Sequence, residues 1–579
     1  MNTIKSGFFA LAAAAAIFTG GSALATDTAD TIYTNGSIYT VNQSQPWATA
    51  FAVKDGKFIR VGSDSEVAAL AGKSTKKVDL HGQFILPGLI ETHVHPVRVQ
   101  MFKDMQFRNN NLIQRTPDEF GQILKKYADE HPEKKWIYGA AYSWAYFENT
   151  GIKPDRHFLD KYVSDRPVVI EDDGGHVVSV NTKALEIAGV TKDTPNPYGG
   201  SIDRDENGDA TGILYASPAI KIVLRHYPQT PLKDVLTSAE KASEFITSIG
   251  YTGIKIMEGD RTQMEAYKQL DEQGKLKMDV SMHPYLEDFY LATDNSQALK
   301  DRDQYETEHF KVTGVKLFID STPYGHAIAV KNAYLTDPND FGTTIVPYET
   351  YRDQMVYWNG LGFSVATHTM GDRGLSLEVD AMEESAKVNG LEKVRALRNQ
   401  IAHSMMIDPV DLKRIRNVGA YTEFSPNVAL GIKIVDTLKN DMRQEDLRRL
   451  WPMADVVNAG VNYTIASDWI QAPLNPFHHI EQAMTRRVVG SEKTDTQRFD
   501  PAQCIGLPDA IKGYTINAAR LAFTEDKAGS IETGKNANFV VINDNIFDVP
   551  VNQIHTLFAT QVYFEGELVH ENSKQVAEE

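Results

Sequence analysis

Eight short β-rich runs, each closing on a polar residue, constrain the fold of this chain more than any other feature. In order they are FILPGLIETH, TGIKIMEG, KMDVSMHPY, VTGVKLFID, FSVATHT, NQIAHS, AYTEFSP and NYTIASD. Segments with helical periodicity lie between most of them, as at 353–359, 375–389 and 452–459. Strand alternating with helix favours parallel βαβ units. The series therefore predicts an α/β fold with a (β/α)8 TIM-type barrel over residues 86–529.

One connection is too long for a barrel loop. About 150 residues separate the first and second runs, whereas loops in α/β units usually have about 2–6. We expect residues 99–233 to form an inserted subdomain, with a hairpin that turns at Glu206-Asn207-Gly208. An aromatic group in the insertion either caps a pocket over an apolar substrate or forms the subdomain's own core: Trp136, Tyr138, Tyr142, Trp144, Tyr146 and Phe147.

Both ends of the chain have the period-two alternation of antiparallel strands. The first part covers residues 26–85, with turn signals at Asn35-Gly36 and Asp55-Gly56, and the second covers 530–572. We expect the two parts to join in one small β-sandwich with the barrel inserted between them. Residues 573–579 are expected to be a frayed tail.

The first 25 residues have the order of a secretory signal, in which Lys5 precedes the apolar run GFFALAAAAAIFTGG and small residues end at Ala25. We expect cleavage after Ala25 and export to the periplasm or the medium. A membrane anchor is disfavoured because the run is shorter than the roughly 20 residues that span a bilayer. The single cysteine, Cys504, excludes an intramolecular disulfide, so a core, with or without a bound metal, must stabilise the exported chain.

The charge balance argues against polyanionic partners. The formal net charge is −18, and removing the signal removes one lysine and no acid. Such a chain repels phosphate backbones and anionic membranes. The expected partner is a small-molecule substrate, neither nucleic acid nor membrane is expected after signal cleavage, and a homo-oligomer is left open.

Two histidines one residue apart end the first run. Because side chains alternate faces along a strand, His93 and His95 point the same way and their rings lie close enough to share one cation. The same spacing also suits a hydrogen-bonded pair that closes a strand, so it needs support from elsewhere.

Four further residues at strand ends supply that support: Lys316, His368, His403 and Asp468. Imidazole and carboxylate suit zinc and related divalent ions. Each residue has an ordinary alternative as a salt-bridged lysine, a buried histidine or a helix N-cap. Together with the histidine pair they predict a metal site at the carboxyl face of the barrel, which is where enzymes with a TIM-type barrel have their active sites.

The ordered motifs resemble the metal-dependent amidohydrolase superfamily, and more closely the amidohydrolase family 3 branch that includes N-substituted formamide deformylases. The motifs that carry the resemblance are PGLIETHVHP, GGHVVSVNTKAL, GVKLFID, HTMGDRG, IAHS, ASDW followed by PLNPF, AIKGYTINAARL and GSIETGKNANFVVIN. Two positions depart from the family pattern. Ser321 stands in Asp-Ser-Thr where the family usually has Asp-Gly-Ser, and Ala402 stands where a glutamate often precedes the histidine.

The resemblance implies a divalent metal site with one or two ions, most simply zinc, held by His93, His95, Lys316, His368, His403 and Asp468. Lys316 matches a lysine that many superfamily members carboxylate to bridge two ions, and an unmodified lysine beside one ion remains an alternative. Asp468 is implied as the base and then the acid for a metal-activated water. His403 or His176 would help to stabilise the oxyanion.

The function that follows is an exported metal-dependent amidohydrolase that cleaves the C–N bond of a small amide, formamide or cyclic amide. Two alternatives stay open. One is a non-catalytic or regulatory binding protein on the same scaffold, since a fold does not dictate function. The other is a hydrolase of a different bond, acting on an ester or lactone, a phosphoester or an aminated ring.

Overall fold

The computed structural model describes residues 28–101, 116–142, 147, 150–172, 175–285, 296–426, 434–469, 472–489 and 499–576. Over these residues the protein has a mixed α/β fold. The expected signal segment, Trp144 and Tyr146 lie outside the described residues.

The described residues contain 24 strands, numbered in chain order as β1 Ala29–Thr34, β2 Ser37–Tyr39, β3 Trp47–Ala48, β4 Ala50–Lys54, β5 Lys57–Gly62, β6 Ala71–Asp79, β7 Phe84–Pro87, β8 Leu89–Val94, β9 Ile137–Tyr142, β10 Val168–Asp172, β11 Val177–Val180, β12 Ser201–Arg204, β13 Ala210–Tyr215, β14 Tyr251–Gly259, β15 Asp279–Pro284, β16 Phe310–Val312, β17 Gly314–Phe318, β18 Ser364–His368, β19 Gln400–Ala402, β20 Tyr421–Phe424, β21 Asn462–Ile465, β22 Phe539–Ile542, β23 Ala559–Phe564 and β24 Glu567–Glu571.

The α-helices in the same residues are Asp64–Ala68, Pro96–Met101, Pro117–Glu130, Arg156–Asp160, Thr182–Ala188, Ala216–Leu224, Leu232–Ile249, Arg261–Glu272, Ser296–Tyr305, Tyr348–Leu361, Asp372–Asn389, Leu391–Leu397, Pro409–Val418, Ile434–Asp441, Gln444–Leu447, Met453–Asn458, Pro476–Thr485, Leu507–Tyr514 and Ile516–Leu521. Within the described part of the chain, none of these helices combines the length and apolarity needed to cross a membrane.

Two sheets of parallel strands form the centre of the molecule. One has the order β16-β15-β14-β8 and the other β17-β18-β19-β20-β21. Thr313 alone separates β16 from β17, so the predicted run VTGVKLFID continues from one sheet into the other. On the opposite side, Val94 forms a parallel bridge with Trp469, and the Thr92 hydroxyl of β8 donates to Thr464 of β21 over 3.1 Å.

The parallel strands are buried along almost their whole length. In β14, the segment TGIKIMEG shows little alternation between apolar and polar residues, and every residue of the strand except Glu258 is buried. Near-continuous burial is typical of parallel strands covered on both faces. Because the strands run in one direction, their carboxyl ends lie at one edge, and the polar residues that close them can meet there.

The first predicted run, FILPGLIETH, is two strands rather than one. Phe84–Pro87 pairs with β2 and β22, whereas Leu89–Val94 pairs with β14. The change of partner falls at Gly88, where a Cβ would lie 2.1 Å from Thr252 Oγ1. Only a residue without a side chain lets the backbone pass this close to β14.

The two ends of the described chain share a six-stranded sheet of order β24-β23-β22-β7-β2-β3, and a four-stranded sheet of order β5-β4-β1-β6 lies against it. Aromatic rings fill the space between them, with Phe539 in edge contact with Tyr33 and Phe51. The turn at Asp55-Gly56 joins β4 to β5 as predicted. The Asn35-Gly36 prediction was wrong, because this turn carries the chain from one sheet to the other instead of closing a hairpin.

Strands β9 to β13, within the long connection, form a separate five-stranded sheet of order β12-β13-β11-β10-β9. Its two faces bury different apolar groups, with Ile170 on one side and Val169 on the other, as alternation along a strand requires. The hairpin predicted around Gly208 is confirmed, since β12 and β13 pair antiparallel. This sheet therefore has its own core.

Candidate active site

The residues singled out from the sequence meet in a single cavity of about 220 Å³ at the carboxyl ends of the parallel strands. The cavity is lined by His93, His95, Arg98, Tyr138, Glu171, Gly175, His176, Ser217, Ile220, Lys221, Leu224, Glu258, Tyr285, Lys316, Phe318, His368, His403 and Asp468. All seven predicted site residues are among them. They come from strands β8, β17 and β18, from the turns after β8, β19 and β21, and, for His176, from the inserted sheet.

His93 lies near the end of β8 and is 1% exposed. Its Nδ1 is 2.7 Å from Oε2 of Glu423 on β20. Because a carboxylate only accepts, Nδ1 donates, and the lone pair of the neutral ring is on Nε2. That Nε2 lies 3.5 Å from Oδ1 of Asp468.

Backbone carbonyls fix two more imidazoles in the same way. Nδ1 of His95 donates to the Met257 carbonyl over 3.1 Å, so its lone pair is on Nε2, 3.2 Å from Oδ1 of Asp468. Nε2 of His368 donates to the Ser321 carbonyl over 3.2 Å, which leaves the lone pair on Nδ1. In both rings the hydrogen bond determines which nitrogen is available as a ligand.

His403 and Asp468 close the cluster. Nδ1 of His403 is buried without a hydrogen-bond partner among the described residues and lies 3.9 Å from Oδ2 of Asp468. One ligand atom from each of His93, His403 and Asp468 lies within 4.8 Å of the others. Nitrogen lone pairs facing a carboxylate repel it unless a proton or a cation lies between them, so the donor set fits a divalent ion.

Several residues at or just after the ends of these strands have an unusual backbone. The φ angles of Glu258, His403 and Asp468 are 61°, 69° and 54°, in the left-handed region that costs non-glycine residues of order 1–3 kcal/mol. Such conformations persist where surrounding structure holds them, and they cluster at functional sites. Here they turn the side chains back over the strand ends, into the cavity.

Burial keeps the histidines neutral. It lowers the pKa values of His93, His368 and His403 well below the usual value, and the nearby Lys316 adds to the effect for all three. Only a neutral imidazole binds a metal ion, so the environment already favours the ligand form.

Lys316 lies on β17 and is 2% exposed, with its ammonium 5.3 Å from the centre of the Phe318 ring. Burial lowers the pKa of this lysine, although the carboxylates of Glu258 and Asp468 oppose the shift. A lower pKa increases the neutral amine, which is the form that reacts with carbon dioxide.

His176 enters the cavity from the insertion. Its Nδ1 lies 2.8 Å from the hydroxyl of Ser321, and its ring is 4.6 Å from that of His368. Burial lowers the pKa of His176 to about 4. The insertion therefore contributes a neutral imidazole beside the candidate metal ligands.

The wall opposite the histidines mixes aromatic and charged groups. Arg98, just after β8, makes an ion pair with Glu171 of the insertion, and the Tyr138 hydroxyl donates to the same carboxylate. Lys221 donates to the hydroxyl of Tyr285 over 2.6 Å. The Arg98–Glu171 ion pair ties the inserted sheet to the end of β8, and the Lys221–Tyr285 hydrogen bond ties the helix Ala216–Leu224 to the end of β15.

The aromatic group of the insertion divides between its two expected roles. Tyr138 lines the cavity, whereas Tyr142 and Phe147 pack with Phe120 in the core of the insertion. Trp136 packs on the other face of the inserted sheet. Of the described members of this group, only Tyr138 therefore lines the cavity.

Sequence reasoning missed several charged residues of this site, among them Glu423, Glu258 and Lys255 and the cavity-lining residues Arg98, Glu171 and Lys221. Lys255 is fully buried and donates to Gln400 over 2.6 Å. A usable signal existed, because IKIMEG and YTEF carry charges inside runs that are otherwise apolar. A charge within a buried strand requires a partner.

These features define a mixed α/β protein with a nitrogen and carboxylate cluster, suited to a metal ion, at the ends of parallel strands. The profile of the Amidohydrolase family matches residues 76–570, and the chain belongs to that family.

The chain is also similar to characterised sequences and to solved structures. Protein LONG AFTER FAR-RED 3 from Arabidopsis thaliana is 27% identical, covering 90% of this chain and 88% of its own. An N-substituted formamide deformylase from Arthrobacter pascens is 24% identical over 94% of this chain and 99% of its own, which confirms the resemblance drawn from the motifs. The crystal structure of an uncharacterized metal-dependent hydrolase from Pyrococcus horikoshii OT3 matches 90% of this chain and 99% of its own with a TM-score of 0.70, at 21% identity, and supports the fold.

Proposed function

We propose that the protein is an exported metal-dependent amidohydrolase that cleaves the C–N bond of a small amide, formamide or cyclic amide. The observation that carries this proposal is the set of three imidazole nitrogens around Asp468. Nε2 of His93 and of His95 lie 3.5 and 3.2 Å from Oδ1, and Nδ1 of His403 lies 3.9 Å from Oδ2. A cation shared by these atoms relieves their mutual repulsion.

We also propose the finer architecture. The parallel strands from β8 to β21 would close as a (β/α)8 barrel over 86–529, with 99–233 as the inserted subdomain. Two observations support closure at the two seams: Thr313 alone separates β16 from β17, and Val94 forms a parallel bridge with Trp469. The segments 26–85 and 530–572 would form one β-sandwich, which the shared six-stranded sheet supports.

The proposed ligands are His93, His95, His368, His403 and Asp468, with Lys316 as an additional oxygen ligand after carboxylation. Zinc is the proposed ion, since it prefers nitrogen and carboxylate ligands. Lys316 would be carboxylated in a site with two ions and unmodified in a site with one ion.

A bound divalent ion supplies Lewis acidity, which lowers the pKa of water from about 15.7 toward 7 and polarises an amide carbonyl. Asp468 would take the proton of the attacking water and deliver it to the leaving nitrogen, as base and then acid. His176, and the edge of His403 that does not face Asp468, would donate to the oxygen that gains charge.

Support for an amide substrate comes from the cavity and from one relative. The cavity of about 220 Å³ suits a small molecule, and Ile220, Leu224 and Phe318 offer an apolar wall to an organic substituent. The relative named as a formamide deformylase acts, by its name, on a C–N bond.

The setting of the enzyme is part of the proposal. The signal-like residues 1–25 support export to the periplasm or the medium, and the net charge of −18 supports a small-molecule substrate over nucleic acid or a membrane surface. A homo-oligomer is compatible with export and with a small-molecule substrate.

The test measures zinc, manganese and iron in the purified protein and assays a panel of formamides, acyl amides and cyclic amides. We expect bound metal, turnover of at least one amide, loss of turnover on chelation and its return with zinc. Asp468→Asn should lower kcat by about 10²–10⁴-fold, the range for a general acid–base group. Asp301→Asn is the matched control, because Asp301 is also buried but pairs with Arg261 outside the cavity.

Protein without metal, or turnover indifferent to chelation, would contradict the proposal. An unaltered kcat in Asp468→Asn would remove that residue from the chemistry.

A further inference from the structure

Ser321 contacts two imidazoles of the cavity from one position. Its carbonyl accepts from Nε2 of His368 over 3.2 Å, and its hydroxyl lies 2.8 Å from Nδ1 of His176. The serine is 1% exposed. It follows β17 by three residues, so it links the end of a parallel strand to the insertion.

The direction of the hydrogen bond between Ser321 and His176 follows from what else the hydroxyl can reach. Among the described residues, Nδ1 of His176 is the hydrogen-bond partner of this hydroxyl. A buried O–H without an acceptor costs about 1–3 kcal/mol. The serine therefore donates, and Nδ1 of His176 accepts.

A neutral imidazole that accepts at Nδ1 carries its proton on Nε2. Since the Nδ1 edge faces Ser321 and the ring lines the cavity, the edge left for a substrate bears the N–H. An N–H directed at a carbonyl oxygen stabilises the charge that develops there during amide cleavage.

We propose that Ser321 is a positioning residue that holds His176 with its proton on Nε2, so that His176 donates to the carbonyl oxygen of the substrate. The donation from His176 to a substrate rests on the proposed function, whereas the position of the proton on His176 is a property of the protein alone.

The direct test reads the tautomer by NMR. Zinc-loaded protein labelled with 15N-histidine gives long-range ¹H–¹⁵N patterns that distinguish a proton on Nδ1 from one on Nε2. The signals of His176 are assigned by their loss in His176→Gln. We expect a proton on Nε2 in the parent protein and a mixture of tautomers in Ser321→Ala.

Thr322→Val is the matched control, because it removes a neighbouring hydroxyl that is also buried, and it should leave the His176 pattern unchanged. Ser321→Thr keeps the hydroxyl and should keep the tautomer. Ser321→Gly serves if Ser321→Ala does not fold. A parent protein with the proton on Nδ1, or one pattern in all folded Ser321 variants, overturns the proposal.

Kinetics test whether the His176 tautomer matters for turnover. Ser321→Ala should lower kcat about tenfold with KM changed less than twofold, a smaller loss than the 10²–10³-fold typical of removing an oxyanion donor. Ser321→Thr should restore kcat. An unchanged kcat in Ser321→Ala refutes a role for this tautomer in turnover. Absence of any amide turnover in the parent protein instead refutes the proposed function. The NMR result then decides by itself whether Ser321 holds the proton of His176 on Nε2.

Discussion

Oε2 of Glu423 lies 2.7 Å from Nδ1 of His93. The same oxygen accepts the backbone N–H of His403 over 3.2 Å, and Oε1 accepts from Ser425 over 2.7 Å. One buried carboxylate therefore orients the ring of a histidine from β8 and the backbone of a second histidine after β19. Carboxylates that accept from a metal-binding histidine fix its orientation and raise its basicity.

Glu423→Gln should weaken metal binding by about 10–100-fold, the usual cost of losing such a partner. The measurement is a zinc titration against a competing chelator. Glu481→Gln is the matched control, because Glu481 is also buried and lies 2.7 Å from Nδ1 of His555, away from the cavity. Equal zinc affinities for both variants would contradict a role for Glu423 in orienting His93 as a metal ligand.

Lys316 should carry carbon dioxide in metal-loaded protein. Burial lowers the pKa of its amine, and the nearby cation would stabilise the resulting carbamate. Protein prepared with ¹³C-bicarbonate and zinc should show a carbamate carbon resonance that is absent from Lys316→Arg. The same resonance in that variant would place the modification elsewhere, and no resonance in the parent protein would favour unmodified Lys316.

The stability of the fold should decrease in acid because of His479. This fully buried ring donates from Nε2 to the Pro473 carbonyl over 2.7 Å, and burial lowers its pKa from 6.5 to about 4. Between these pH values the unfolded chain binds a proton that the folded chain does not, so stability is present above pH 6.5 and is lost as pH falls toward 4. The shift corresponds to about 3 kcal/mol.

His479→Gln keeps a donor for the Pro473 carbonyl and removes the titration. Its Tm should fall less between pH 6.5 and 4 than that of the parent protein, measured by differential scanning fluorimetry. His81→Gln, at an exposed histidine, should keep the parent slope. An identical pH slope in His479→Gln and the parent would show that this residue is not the source of acid sensitivity.

The core of the insertion should be sensitive to loss of Tyr142. This side chain is 2% exposed and contacts Phe120 and Phe147. Tyr142→Ala should destabilise the insertion by about 3–5 kcal/mol, as for other buried aromatic residues, seen as a lower Tm and faster proteolysis. Tyr198→Ala, at a position 58% exposed, should change stability by less than about 0.5 kcal/mol. Equal effects of the two substitutions would be inconsistent with this core.

Much of the site is predictable from the sequence, because strand geometry is local. Alternation along β8 puts His93 and His95 on one side, and the polar ends of parallel strands share an edge, which is why His368, His403 and Asp468 reach the same cavity. These inferences need only the period of side-chain alternation along a strand and the common direction of the parallel strands.

The partners of those residues are not predictable in the same way. Glu423 is 330 positions from His93, and Ser321 is 145 from His176. Which side chains meet at such separations depends on strand order and on the placement of the insertion, and neither is encoded in a local pattern. The prediction from Asn35-Gly36 was wrong for a related reason. The dipeptide indicates that the chain reverses, but it does not indicate which sheet the next strand joins.

The most direct test of the central claim is an anomalous-difference map from a crystal of zinc-loaded protein at the zinc absorption edge. We expect a peak between Nε2 of His93, Nδ1 of His403 and the carboxylate of Asp468, at ligand distances of about 2.0–2.2 Å. A map with no peak in this cavity, or with zinc bound only elsewhere, would contradict the account.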